Sequence, residues 1–261
     1  MDRSINIICI KWGTAYDPEY VNKLYSMIKR NTSYTIDFYC FTDDSDGLNK
    51  DIIIKPLPIL NTTKEYQEKY AYRKEAGLCG DGLGGLKGQR VFFFDLDMVF
   101  ISNLDELFDY PKDDQFYIIN DWNSKGNEVG QASAYSWVVG TLGYVKEYYE
   151  KHPKEVVEKF HTASQEYLSS KVIEKYGSLN FWPESWFCSF RFHCMSKIGP
   201  FRHFITPQIP NDRPGLKAIV FHGVPNPREA IQGIWPVQDK EKWKRIYKVC
   251  KPTKWIEAYW Y

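Results

Sequence analysis

The sequence predicts an α/β fold in which a mixed, mostly parallel sheet is flanked by helices. Three observations support this prediction. Short apolar strands alternate with amphipathic helices, several strands end on acidic residues, and no internal repeat or low-complexity linker divides the chain. The chain has 261 residues, 43% of them hydrophobic, enough to bury a core without structural cross-links. We expect one catalytic domain over residues 1–240 and a basic, aromatic tail over residues 241–261.

The elements of the first half follow in regular order. The β-branched run INIICI, residues 5–10, predicts the first strand. Asp17 and Pro18 then predict the start of a helix with one apolar face. Further strands are predicted at residues 36–41, 51–57, 91–95 and 116–121, and a second helix at residues 66–79, which the glycine-rich CGDGLGG ends.

The second half is less regular. Helical periodicity predicts helices near residues 144–151, 153–161 and 164–176. A segment rich in tryptophan and proline, NFWPESWFCSF, follows them, and AIVFHG at residues 218–223 predicts a late strand.

Composition excludes several classes of protein. A formal net charge of +1 argues against a nucleic-acid binder that works by bulk electrostatics. No segment reaches the roughly 18 apolar residues of a membrane span, and the N-terminal MDRSINIICI does not resemble a signal peptide. The six cysteines are scattered and form no CxxC pair, so we expect them to be reduced. These features predict a cytoplasmic protein.

Two carboxylates interrupt the apolar run VFFFDLDMVF. Asp95 and Asp97 close a predicted strand, and on a strand their side chains would share one face, roughly 6.6 Å apart. Burying two like charges there is costly, and a hard divalent cation such as Mg²⁺ or Mn²⁺ would remove that cost. Asp43 and Asp121 also end strands, at the edge where α/β sheets bind ligands. A second D-x-D, Asp44–Asp46, precedes Gly47 and is interpreted as a solvated turn.

These motifs resemble a known family. FFFDLDMVFISNLDELF resembles the metal-binding D-x-D strand of nucleotide-sugar-dependent glycosyltransferases with the GT-A fold. NLDELF is similar to the segment of the glycogenin-like and bacterial lipopolysaccharide galactosyltransferase branch, and VFHGVPNP resembles the H-x-G signature of that branch. With the opening ICIKWGT, the likeness extends over about residues 5–230. It implies a single GT-A-like, Rossmann-like domain and a hexosyltransferase.

The resemblance also implies roles for individual residues. Asp95, Leu96 and Asp97 would bind the metal, Mn²⁺ or Mg²⁺, and the donor diphosphate; His222 would be the third protein ligand. Gly223 would let the backbone approach the phosphates, and Arg228 is the only candidate to replace a lysine that usually follows H-x-G. The remaining donor contacts would come from Lys11, Trp12, Gly13, Asp43 and Arg73.

The partners implied are a nucleotide-sugar donor, a UDP-sugar by resemblance, and a glycan or glycolipid acceptor. Gln165 matches a glutamine beside the reacting carbon and suits a retaining reaction, which the resemblance favours, although Ser164 stands where the family often has an aspartate. An inverting reaction needs a carboxylate base to deprotonate the acceptor hydroxyl. The candidates for that base are Glu166, Asp121 and Glu184.

Two other functions and two roles of the tail stay open. Asp95 could be the nucleophile and Asp97 the acid/base of a haloacid-dehalogenase-like phosphatase, although three predicted strands precede Asp95 and that motif normally lies on the first. A sugar-binding protein without turnover is the other alternative.

The tail, residues 242–261, interleaves cations with aromatic rings. It would either dock on an anionic bilayer or pack on the domain, and Pro252 would interrupt a continuous helix.

Overall fold

A computed structural model describes residues 4–68, 72, 74–122 and 128–261. The strands of these residues are, in chain order, β1 Ser4–Lys11, β2 Thr35–Thr42, β3 Ile53–Pro56, β4 Arg90–Phe94, β5 Met98–Phe100, β6 Tyr117–Asn120, β7 Gly130–Val138, β8 Asn180–Phe181, β9 Phe187–Ser189 and β10 Ala218–Val220. The α-helices are α1 Pro18–Arg30, α2 Lys64–Glu68, α3 Asp105–Asp109, α4 Gly143–Lys151, α5 Pro153–Phe160, α6 Ser164–Tyr176 and α7 Pro227–Gln232.

The chain groups into two compact units. The first unit comprises Met1–Pro18, Tyr34–Asp95 and Glu106–Trp182, and the second comprises Glu19–Ser33, Leu96–Asp105 and Pro183–Tyr261. The predicted boundary at residue 240 stays a prediction.

The first unit is built on a seven-stranded sheet with the order β3-β2-β1-β4-β7-β6-β8. The four strands from β3 to β4 are parallel, whereas β7 runs antiparallel to both of its neighbours, β4 and β6. The β4 run VFFF is buried throughout, as expected for a central strand covered on both faces. The predicted mixed, mostly parallel α/β sheet is therefore confirmed.

Helices α4, α5 and α6 add apolar side chains to the core of the first unit, among them Val145, Val156 and Leu168. The predicted helix over residues 66–79 is wrong as a continuous element. α2 ends at Glu68, and a short 3₁₀ turn, Gly77–Cys79, precedes the glycine-rich loop. Residues 72 and 74–76 form turns, and Gly77, the one glycine within the predicted span, lowers helix stability near its end.

The second unit contains α1, a three-stranded sheet with the order β5-β10-β9, and α7. A capping box starts α7: the Asn226 side chain accepts from Glu229 N at 3.0 Å, and the Glu229 side chain accepts from Asn226 N at 2.9 Å. Gly233 ends the helix in the left-handed conformation, with φ of 73°. These local signals fix a helix of only six residues.

The C-terminal tail divides into two parts. Ile256 and Trp260 are buried, and the Trp260 ring lies 5.1 Å from the Tyr20 ring centroid, so the end of the tail packs within the second unit. The preceding 3₁₀ segment Asp239–Ile246 instead exposes Trp243 and Ile246. Pro252 lies between this segment and the next 3₁₀ turn, Lys254–Ala258, as the sequence predicts.

Two further sequence expectations can be compared with the structure. All six cysteines are free and buried. Within the described residues, no helix combines the length and the hydropathy that crossing a membrane requires.

Candidate functional site

The topology of the first unit contains a switch point. From β1 the chain continues to β2 and β3 on one side, and β4 then pairs with β1 on the other side. In open α/β sheets, ligands bind in the crevice outside the carboxyl ends of the strands at such a point. The carboxyl ends of β1 and β4 are followed by Trp12 and by Asp95, so both residues flank the expected crevice.

The predicted nucleotide-contacting residues of the first unit gather at this edge. Asp43, which follows β2, accepts a hydrogen bond from the backbone N–H of Gly13 at 3.2 Å. Trp12 and Asp43 are exposed, whereas Lys11 is buried and its Nζ donates to the Asp44 carbonyl at 3.4 Å. The loops after β1 and β2 are thus tied together, with an aromatic ring and a carboxylate open to a ligand.

The partly exposed Lys74 forms an ion pair with Asp95. Lys74 Nζ donates to both carboxylate oxygens of Asp95, at 3.0 and 3.1 Å, and also lies 3.3 Å from Oε1 of Glu75. Burial alone would lower the pKa of Lys74, but Asp95 and Glu75 outweigh it and raise the pKa. Burial raises the pKa of Glu75, and its Oε2 has no hydrogen-bond partner among the described residues. One cation therefore serves two carboxylates beside the switch point.

The predicted catalytic residues of the first unit lie at the same edge. Because β7 runs antiparallel to β4, its first residues meet the end of β4, and Asp95 N donates to the Ser133 carbonyl at 2.8 Å. Gln165, on the first turn of α6, accepts from Ala132 N at 3.5 Å. Asp121 follows β6, which runs parallel to β4, and Glu166 is exposed on α6.

The H-x-G residues belong to the second unit. Parallel pairing of β9 with β10 aligns Ser189 with Val220, so the Ser189 hydroxyl reaches His222 Nε2 at 2.6 Å. Gly223 is exposed and has a φ of +79°, a backbone conformation that favours glycine. A Cβ at this position would lie 3.7 Å from Nη1 of Arg191. A guanidinium group therefore lies beside the H-x-G turn.

Three of the predicted site residues need separate comment. Arg228 forms an ion pair with Glu19 and lies 5.1 Å from the Tyr20 ring centroid, both in the second unit. Of the three candidate bases, Glu184 is exposed and lies in the second unit, whereas Asp121 and Glu166 lie in the first unit. Arg73 lies outside the described residues. Arg228 thus already has a carboxylate partner, which weakens its assignment to the donor diphosphate.

The predicted metal ligands are compatible in chemistry with Mn²⁺ or Mg²⁺. Two carboxylates and an imidazole suit a hard or borderline divalent cation. Asp95 is partly exposed and Asp97 is 8% exposed, so both charges lie in surroundings that favour a counter-ion. A carboxylate offers about four lone pairs, so the Lys74 contacts leave Asp95 with capacity to bind a metal. Across the described part of the chain, no cluster of three or more His, Cys, Asp or Glu side chains forms a ready-made metal site.

Sequence reasoning missed three charged residues of these sites: Lys74, Glu75 and Arg191. Lys74 and Glu75 follow Arg73 in YAYRKEAG, and no local period in the sequence indicates that Glu75 is buried or that Lys74 reaches Asp95. Arg191 lies 32 positions before Gly223 in the chain, and only the pairing of β9 with β10 explains their proximity.

The larger of two described cavities lies elsewhere. It measures about 600 Å³ in the first unit and is lined by residues such as Asp113, Thr141 and Asn180. Thr141 follows the end of β7 and Asn180 begins β8, so this cavity is at the opposite edge of the sheet from Asp95. None of the predicted site residues lines it.

Comparisons with known proteins define the fold. No protein-family model and no curated protein sequence matches the chain. The solved structures that match include the apo form of the glycosyltransferase GlyE of Streptococcus pneumoniae TIGR4, with a TM-score of 0.54, 13% identity, and coverage of 86% of this chain and 56% of GlyE. They also include the galactosyltransferase LgtC in complex with donor and acceptor sugar analogues, with a TM-score of 0.55, 11% identity, and coverage of 85% and 89%.

These likenesses establish the architecture of the chain. This chain spans little more than half the length of the GlyE chain, and both identities are low. The GT-A-like α/β fold that the sequence predicts is confirmed.

Proposed function

We propose that this chain is a metal-dependent glycosyltransferase that transfers a sugar from a UDP-sugar to a hydroxyl group of a glycan or glycolipid. The observation that carries the proposal is the position of Asp95. It follows a buried central strand beside the switch point, next to Lys74, in a fold shared with sugar-transferring enzymes. A ligand with negative charge, bound together with a cation, suits this combination of groups.

The proposed donor site uses residues at the strand ends. The exposed Trp12 offers a face on which a nucleobase can stack, and Gly13 and Asp43 form the adjoining loop pair. Asp95, Asp97 and His222 would hold Mn²⁺ or Mg²⁺. We assign a diphosphate contact to Arg191, which lies beside Gly223, in preference to the ion-paired Arg228.

Sugar transfer places its largest demand on the leaving group, because negative charge grows on the diphosphate as the bond to the sugar breaks. When bound, the cation would act there as a Lewis acid. Lys74 donates to both oxygens of the Asp95 carboxylate and so holds it in one orientation. Gln165 accepts a backbone N–H through its amide oxygen and keeps its amide hydrogens as donors, so it can steady a retaining transition state without acting as a base. Asp121 and Glu166 are the proposed bases for inversion.

The phosphatase alternative requires Asp95 to be the nucleophile. Both of its oxygens accept hydrogen bonds from Lys74 Nζ, which lowers the nucleophilicity of a carboxylate. In addition, β4 follows three strands in the chain. These observations favour sugar transfer over phosphate-ester hydrolysis.

A panel of nucleotide sugars, with and without Mn²⁺, tests the proposal through nucleotide release. We expect the parent protein to release nucleotide from a UDP-sugar in the presence of Mn²⁺. The Asp97→Asn variant should be slower by about 10²-fold or more, because one charge-stabilising interaction at the leaving group is lost. Asp46→Asn, in the loop copy of D-x-D, is the matched control and should keep the parental rate. Metal-independent release of equal rate from every donor, in both the parent and Asp97→Asn, would refute the proposal.

A further inference from the structure

A basic cavity lies in the second unit and adjoins Arg191, whose Cζ is 5.6 Å from the ring centroid of Trp235 in the cavity lining. The cavity measures about 350 Å³, and its lining includes Arg202, Arg245, Lys248 and Lys251. Of the described residues that line it, none is acidic. A concentration of four cationic side chains on one small cavity indicates a ligand with negative charge.

Among the described side chains, most of this positive charge has no acidic partner within ion-pair distance. Lys248 lies 3.9 Å from Glu241, which also pairs with Lys244. Among the side chains that the structure describes, no carboxylate lies within ion-pair distance of Arg202, Arg245 or Lys251. Burial, and then the charge of Arg191, lowers the pKa of Arg202, whose Nε donates to the Ser196 carbonyl at 2.9 Å. An anion in the cavity would relieve this repulsion between cations.

Exposed apolar side chains surround the cations. Ile234 lines the cavity and is about half exposed. His203 also lines it, and its Nε2 is 3.0 Å from the carbonyl of Ile246, whose side chain is 72% exposed. Phe204, next to His203, is 76% exposed, and Trp243 is 64% exposed. Large apolar side chains in water beside a cluster of Lys and Arg are typical of surfaces that enter the interface of an anionic bilayer.

We propose that this cavity receives the phosphate of an anionic lipid headgroup while the surrounding apolar side chains enter the bilayer interface. A soluble anion would satisfy the cations but would leave Phe204, Trp243 and Ile246 in water, whereas a lipid surface satisfies both. The sequence left membrane docking and packing on the domain open as alternatives for the whole tail, and the proposal places a membrane contact on another surface. The contact surface combines residues 201–205 with residues 234–238 and 243–251, because the end of the tail is packed around Ile256 and Trp260. It does not depend on the proposed catalytic activity.

Vesicle co-sedimentation of the whole chain tests this proposal. We expect binding to phosphatidylcholine vesicles that contain phosphatidylglycerol and little binding to phosphatidylcholine alone. Removing a cation near such a surface lowers the partition coefficient roughly fivefold, so the double variant Arg245→Gln/Lys251→Gln should bind about 25-fold more weakly. Lys154→Gln/Lys159→Gln, on α5 of the first unit, removes the same charge elsewhere and should bind like the parent.

A second variant isolates the apolar part of the surface. Ile246→Ser should weaken vesicle binding, whereas Ile59→Ser should leave it unchanged, although both isoleucines are 72% exposed.

An equal loss of vesicle binding in the variants and their controls, or no binding of the parent to anionic vesicles, would overturn the proposal. Release from the vesicles by inorganic phosphate or by UDP would assign the cavity to a soluble anion, and tighter binding to single-stranded RNA would assign it to nucleic acid. Either result would also overturn the proposal. Because none of these measurements uses the enzymatic reaction, their outcome is separate from that of the nucleotide-release panel.

Discussion

The two copies of Asp-x-Asp in this chain lie in different surroundings. In the loop after β2, Asp44 and Asp46 are exposed, and Asp44 Oδ1 accepts from the backbone N–H of Asp46 at 3.0 Å. After β4, by contrast, Asp95 follows four buried residues and pairs with Lys74, and Asp97 is nearly buried. In the loop, solvent and a turn satisfy the carboxylates. At the strand end, burial makes the charges costly, so a cation has to stabilise them.

The largest effect should come from removing the cation of the strand-end copy. Lys74→Met leaves Asp95 and the buried Glu75 without their shared partner, so we expect a loss of about 3–5 kcal/mol in the free energy of unfolding, measured with urea. Lys154→Met is the control. Lys154 lies 3.7 Å from Glu158, but both side chains are mostly exposed, so the loss should stay below about 1 kcal/mol.

The same variant reports on metal binding. With Lys74 absent, Mn²⁺ should restore part of the lost stability, because a ligand that binds only the folded state stabilises it. If Lys74→Met loses as little free energy of unfolding as Lys154→Met, Asp95 is as well solvated as Asp44 and Asp46. The proposed difference in burial between the two Asp-x-Asp copies would then be refuted.

The sequence identified the strand-end copy but not its cation. Val91–Phe94 is apolar at every position, and this single feature predicted both a central strand and the edge at which Asp95 lies. The partners of Asp95 could not be predicted, because Lys74 reaches it from a stretch in which residues 72 and 74–76 form turns in place of the predicted helix 66–79. The basic cavity was missed for a similar reason. It joins residues from three separate segments, around Arg202, Trp235 and Arg245, whose proximity no local period encodes.

A third carboxylate, Asp105 of NLDELF, extends the comparison to pH. Burial tends to raise the pKa of Asp105, but hydrogen bonds from Thr32, Ser33 and Asn103 outweigh it and lower the pKa to about 2. A carboxyl group whose pKa is lower in the folded state adds stability above its unfolded pKa of about 3.9, and this stability is lost as the pH falls toward 2. Because Asp105 is partly exposed and solvent screens its charge, we expect the contribution to be about 1 kcal/mol.

Urea unfolding between pH 5 and pH 2.5 measures this contribution. Asp105→Asn should be less stable than the parent at pH 5, and the difference should shrink as the pH falls through that window. Asp46→Asn, which changes an exposed loop carboxylate, should follow the parental curve. If the Asp105→Asn difference stays constant with pH, the stabilisation comes from packing of the side chain and not from its charge.

The smallest effect should come from the loop copy itself. Asp44→Ala removes one hydrogen bond of the turn, from Asp46 N at 3.0 Å, while the backbone contacts of Thr42 Oγ1 with Asp44 remain. The net value of such a bond at an exposed position is about 0.5 kcal/mol, so urea unfolding should show a loss of that order. Nucleotide release with Mn²⁺ should be unchanged, because the side chain of Asp44 is already satisfied by its own turn. A loss of release comparable to that of Asp97→Asn would show that the loop carboxylates also hold a functional cation. In that case the burial of a carboxylate would not decide which copy of the pattern binds metal.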